Sequence, residues 1–82
     1  MFLNRHNGRN NWVGIGMKKL RKNLQVSQRE ISDRLQKNDI NVDKNAVQRM
    51  ESGDRFITDI ELIGIMKTFN VTLEQLIDLS KD

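Results

Sequence analysis

Residues 27–53 read Ser27-Gln28-Arg29-Glu30-Ile31-Ser32-Asp33-Arg34-Leu35-Gln36-Lys37, then Asn38-Asp39-Ile40-Asn41-Val42, then Asp43-Lys44-Asn45-Ala46-Val47-Gln48-Arg49-Met50-Glu51-Ser52-Gly53. The first part opens with a capping box, in which the Ser27 hydroxyl bonds the backbone N–H three residues on and Glu30 reaches back. It carries only Ile31 and Leu35 inward, so it predicts a short helix ending near Lys37. The middle part has no period and breaks that helix. In the third part Asp43 caps a new helix, Ala46, Val47 and Met50 form its apolar stripe, and Gly53 ends it in the left-handed conformation. Two short helices with narrow apolar seams and wide polar faces are the expectation.

The same periodicity extends in both directions. Val13, Met17, Leu20 and Leu24 recur at three and four residues, predicting a helix that turns them inward and leaves Lys18, Lys19 and Lys22 outside. On the other side, Thr58-Asp59-Ile60-Glu61 is a second capping box. The helix it opens carries Ile60, Leu62, Ile63, Ile65, Met66 and Phe69, the broadest apolar surface in the chain, which predicts a central position. Thr72-Leu73-Glu74-Gln75 is a third box, opening a last helix with Leu73, Leu76 and Ile77 inward. No segment alternates with period two, so the fold class is all-α, with five helices over residues 12–82. Residues 1–11, rich in asparagine and poor in apolar side chains, read as a flexible basic arm.

Eighty-two residues suffice for one small core. With no cysteine and no proline, neither disulfides nor thiolate metal sites brace it, and the thiol count fits a reducing cytoplasm. No apolar run approaches the ~20 residues of a membrane span, and MFLNRHNGRNN lacks the apolar block of a signal peptide. Against 14 Lys and Arg stand 11 Asp and Glu, unevenly placed. Residues 1–50 hold 11 basic and 4 acidic side chains, a net +7, while residues 51–82 hold 3 basic and 7 acidic, a net −4. The basic half suits a polyanion, although a solvated basic surface reads the same way on charge alone.

Catalysis finds little to use. The one histidine, His6, lies in the arm, and no serine has a base beside it in sequence. Asp39, Asn41 and Asp43 alternate like the first ligands of a calcium loop. The sixth position, however, is Lys44 where glycine belongs, and the twelfth is Met50 where a bidentate carboxylate belongs. No metal and no cofactor is expected. What remains is the polar face of the third helix, where Lys44, Asn45, Gln48 and Arg49 are residue types that pair with guanine and adenine edges in the major groove. Any one of them also suits an ordinary polar helix face. Gln28, at the first turn of the second helix, stands where backbone N–H groups meet a phosphate.

In order and spacing these pieces resemble the Cro and phage-repressor type of helix-turn-helix, the XRE family. The matching residues run from about Ile15 to Ile77 and include Leu20-Arg21, Ser27-Gln28-Arg29-Glu30-Ile31, Ala46-Val47-Gln48-Arg49-Met50-Glu51-Ser52-Gly53 and Phe69-Asn70-Val71-Thr72-Leu73-Glu74-Gln75-Leu76. The resemblance implies a five-helix, lambda-repressor-like domain whose third helix lies in the major groove, with two copies on a near-palindromic site. By position it implies base contacts from Lys44, Asn45, Gln48 and Arg49, and phosphate contacts from Gln28 and Arg55. Lys18 and Lys19 join the phosphate set through their charge, and Arg5 and Arg9 of the arm are candidates for minor-groove or phosphate contacts, the alternative being a disordered, solubilising tail. It also implies a structural ion pair between Arg21 and Glu51.

Two features depart from the family pattern. The turn from Lys37 to Val42 is long and offers only asparagines for a left-handed residue, and Asp54 stands where a basic residue is frequent. The functional expectation is a sequence-specific double-stranded DNA-binding regulator, a repressor or autoregulator acting as a homodimer. The alternative is an antitoxin-like or anti-repressor module whose fourth and fifth helices, with Leu79, hold a protein partner.

Overall fold

A computed structural model describes residues 8–81, in five helices: α1 (Val13–Leu24), α2 (Gln28–Lys37), α3 (Lys44–Ser52), α4 (Asp59–Phe69) and α5 (Leu73–Ser80). Four of them start at the caps read from the sequence. Ser27, Asp43, Thr58 and Thr72 each accept a bond from the backbone N–H three residues on. The boxes at Thr58 and Thr72 are complete, with Glu61 and Gln75 bonding back. The first is only half made, since Glu30 turns instead to Arg34, one helical turn on, at 3.2 Å. Just ahead of α1, Asn11 Oδ1 accepts from the Gly14 N–H at 2.9 Å.

Met17, Ile31, Leu35, Val47, Met50, Ile65 and Leu76 are completely buried. Helix α1 packs on α3 and α5, and α2 packs on α3 and α4. The expectation of a central α4 is corrected: α1, α2 and α3 each pack on two helices whereas α4 packs on α2, with Ile60 and Ile63 68% and 52% exposed. Leu24 and Leu73, read as inward, are exposed as well. The close packing around α1 rests on its glycines, which carry no weight in a hydrophobic pattern. A Cβ on Gly14 would run into the Met50 carbonyl, and one on Gly16 would lie 2.7 Å from the Leu76 carbonyl. Both neighbouring helices thus approach α1 backbone to backbone, and the Gly16 N–H donates to Ser80 Oγ at 3.0 Å.

The long α2–α3 turn is held by its own apolar residues. Ile40 and Val42 are 6% and 2% exposed, with Ile40 against Gly64 of α4. Gln36 donates to the Val42 carbonyl at 2.9 Å. The left-handed residue is Asp39, at φ 64°, and not one of the asparagines. Its short polar side chain tolerates that conformation as asparagine's does.

Residues 9–11 correct the expected end of the arm. The Asn10 N–H donates to the Gly53 carbonyl at 2.8 Å, and Asn11 Nδ2 donates to the carbonyls of Met50 and Arg55 at 2.9 and 2.6 Å. Arg9 Nη2 donates to the carbonyls of Glu51 and Met50 at 2.8 and 3.3 Å. Local composition predicted a loose segment because it contains no trace of the α3 carbonyls that satisfy these side chains. Arg5, His6 and the rest of residues 1–7 lie outside the described residues.

Candidate nucleic-acid interface

Helix α3 divides cleanly. Ala46, Val47, Met50 and Glu51 are buried, whereas Lys44, Asn45, Gln48 and Arg49 are all exposed. The pairs 44/48 and 45/49 each recur after four residues, so the four side chains form one patch along ~8 Å of helix axis. Both helix ends are secured, by Asp43 Oδ1 accepting from the Ala46 N–H at 2.8 Å and by Gly53 at φ 88°.

Glu51 is the anchor behind that patch. It is 4% exposed, and it receives Arg21 Nε on Oε2 at 2.7 Å and Arg21 Nη2 on Oε1 at 3.0 Å. Arg21 Nη1 also donates to the Val26 carbonyl at 2.9 Å. Two parallel bonds to one carboxylate are the strong form of this contact. The hydrogen bond to Glu51 raises the Arg21 pKa above its already high value, with burial opposing. The ion pair implied by the family resemblance is therefore present.

A third member of this group was missed. Gln28 Nε2 donates to Glu51 Oε1 at 3.0 Å, so the half-buried glutamine at the first turn of α2 is oriented by the residue that fixes α3. One N–H of its amide is used and the other remains for an external acceptor. Sequence distance concealed this link, since 23 residues separate the two.

The remaining basic residues fall into different surroundings. At ~100° per residue, Lys18 lies ~40° around α1 from Gly14, on the α3 side, while Lys19 lies ~60° from Gly16, on the α5 side. Lys19 Nζ also donates to the Lys81 carbonyl at 3.4 Å. Sequence reasoning joined the two lysines because they are adjacent, and the packing of α1 separates them. Arg55 is paired with Glu61 at 2.8 Å. Burial pushes the Glu61 carboxyl up, but the bonds from Arg55 and from the Thr58 backbone N–H outweigh it, leaving the carboxyl below its ordinary value. Arg9 is engaged with the carbonyls ending α3.

An open cleft of about 330 Å³ runs between α2 and the start of α3, lined by Arg29, Ser32, Asp33, Gln36, Asp43, Lys44 and Asn45. It adds the exposed Arg29 to the surface, a residue that recurs with Ser32, Asp33 and Gln36 along one face of α2. Helical spacing was the signal available to find it. Asp43 serves here as the cap of α3, and among the described residues no three His, Cys, Asp or Glu side chains gather as a metal site. Among them, too, no helix is long and apolar enough to cross a membrane.

Two short helices sharing a core, joined by a braced turn, with the second displaying an exposed basic and amide face, define a helix-turn-helix domain. Residues 17–76 match the helix-turn-helix family model, and the chain belongs to that family, of the Cro and phage-repressor (XRE) type. It is a DNA-binding transcriptional regulator by family. No curated protein and no solved structure matches the chain.

Proposed function

We propose that the protein is a sequence-specific binder of double-stranded DNA that acts as a repressor or autoregulator, as a homodimer and without a cofactor. The observation that carries this reading is the exposed quartet Lys44, Asn45, Gln48 and Arg49, set directly opposite the buried stripe of α3. With α3 in the major groove, the two basic side chains suit guanine O6 and N7, and the two amides suit adenine N6 and N7. Gln28 and Lys18 flank that face and set register on phosphates, with Lys19 and Arg55 as weaker contributors because of the partners they already hold. Arg29 joins them from the cleft. Regulation follows from occupancy, the bound protein obstructing polymerase without covalent chemistry.

Selection of bound sequences from random duplex DNA tests this. The expected result is an enriched, two-fold symmetric site, and no enrichment over the starting pool would overturn the reading.

A second reading, a protein-binding module of antitoxin or anti-repressor kind, draws on the exposed Phe56, Ile60 and Ile63. Leu79, half-buried on α5, contributes less than those three. Salt separates the readings. DNA affinity falls by about 0.9 log unit per log unit of salt for each phosphate neutralised, while an apolar protein contact has little such slope.

A further inference from the structure

The outward face of α4 carries Asp59, Ile60, Ile63 and Lys67, all exposed. Ile60 and Ile63 are the most exposed large apolar side chains among the described residues. Beside them lies a depression of about 250 Å³, lined by Ile40, Ile60, Ile63, Gly64 and Lys67 with the turn residues Asn38 and Asp39. Neither Asp59 nor Lys67 belongs to an ion pair among the described residues.

The order of these residues is self-complementary. If two α4 helices lie antiparallel about a two-fold axis through Ile63, residue 59 of one copy faces residue 67 of the other. Asp59 then meets Lys67 twice, Ile63 meets Ile63, and Ile60 meets the half-buried Met66. A parallel arrangement would instead set Asp59 against Asp59 and Lys67 against Lys67. An isologous interface must be complementary to itself, whereas a surface for an unrelated partner has no need to be. Three acids of this half of the chain are already paired: Glu51 with Arg21, Glu61 with Arg55 and Asp78 with Lys81.

We infer that the outer face of α4 is where a second copy of this chain docks, antiparallel and centred on Ile63. This rests on the homodimer reading above and gives it a surface. One pair of three-turn helices falls short of the ~1,200 Å² buried in stable interfaces. The pairing is therefore weak in free solution and strengthened on DNA, where adjacent half-sites raise the effective concentration into the millimolar range.

Sedimentation equilibrium of the full chain over a wide concentration range provides the test, with circular dichroism confirming that each variant folds. Ile63→Asp places two carboxylates on the axis of an exposed site, and dimerisation is expected to disappear. Asp59→Lys and Lys67→Asp, each alone, are expected to weaken the dimer about 10-fold, because each creates two like-charge contacts. The double variant restores the attraction and is expected within about 2-fold of the parent. A dimer indifferent to all four variants would overturn this surface while leaving the homodimer reading intact. A chain monomeric at every concentration, on DNA as well as free, would overturn both. In that case sequence-selective binding to a single half-site still distinguishes failure of dimerisation from failure of DNA recognition.

Discussion

Gln28 donates its side-chain amide to the carboxylate of Glu51 at 3.0 Å, across the junction of α2 and α3. Because Arg21 of α1 grips the same carboxylate, three helices meet at one buried charge, and the first turn of α2 is held in register with the end of α3. A glutamine suited to a phosphate and a helix suited to bases are positioned by the same atom group.

Glu51→Ala leaves the Arg21 guanidinium, 13% exposed in its side chain, without its counter-charge, and Gln28 without its acceptor. Loss of one partner of a nearly buried pair costs about 3–5 kcal/mol. Thermal unfolding should show a drop of well over 10 °C for a domain of this size. An unchanged melting curve would show that the pair contributes nothing to stability.

Arg49→Ala or Gln48→Ala is expected to cost roughly 1–3 kcal/mol at a single base pair and to relax preference there. Lys18→Ala should weaken all sequences alike and reduce the salt slope by about 0.9. Lys19→Ala should do less, since Lys19 sits on the α5 side of α1 and reaches the Lys81 carbonyl. Footprinting at several salt concentrations distinguishes these behaviours. Equal effects from the two lysines would contradict the division made by the packing of α1.

Gly14→Ala tests the close approach of α1 to α3. The added methyl would meet the backbone carbonyl of Met50 first and the Asn11 side-chain oxygen next, and backbone yields less readily than a side chain. A cost at or above the usual 1–3 kcal/mol of overpacking is expected, with DNA affinity falling in the folded fraction because α3 is displaced. Denaturant unfolding paired with binding measurements reads both effects.

Glu61 makes stability depend on acid. Its folded-state pKa lies below the ordinary carboxylate value through Arg55 and the Thr58 N–H, with burial opposing. The stabilisation is accordingly present above the unfolded value of ~4.3 and is lost as pH falls through the folded value. Glu61→Gln should melt below the parent at pH 7, with the gap closing under pH ~4. A constant gap from pH 7 to 3 would contradict the assignment.

Arg9→Ala removes charge-assisted bonds to the carbonyls ending α3. A stability loss of about 1–2 kcal/mol is expected, with the salt slope of DNA binding unchanged. A reduced slope without lost stability would instead make Arg9 a phosphate contact.

The sequence by itself determined the helices, their caps and the face of α3. Caps at Ser27, Asp43, Thr58 and Thr72 act within three residues, and a helix periodicity is a local property, so both are written along the chain. It also conveyed Arg21 with Glu51, through family resemblance rather than through spacing. Tertiary structure decided how closely α3 and α5 approach α1, because Gly14 and Gly16 matter for the absence of a side chain, something that hydrophobic patterning cannot register. It also decided the partners of charged residues. Lys19, Arg55 and Arg9 each found a carbonyl or carboxylate brought near by packing, and hydrogen bonds between distant segments exist only once the core has set the helices side by side.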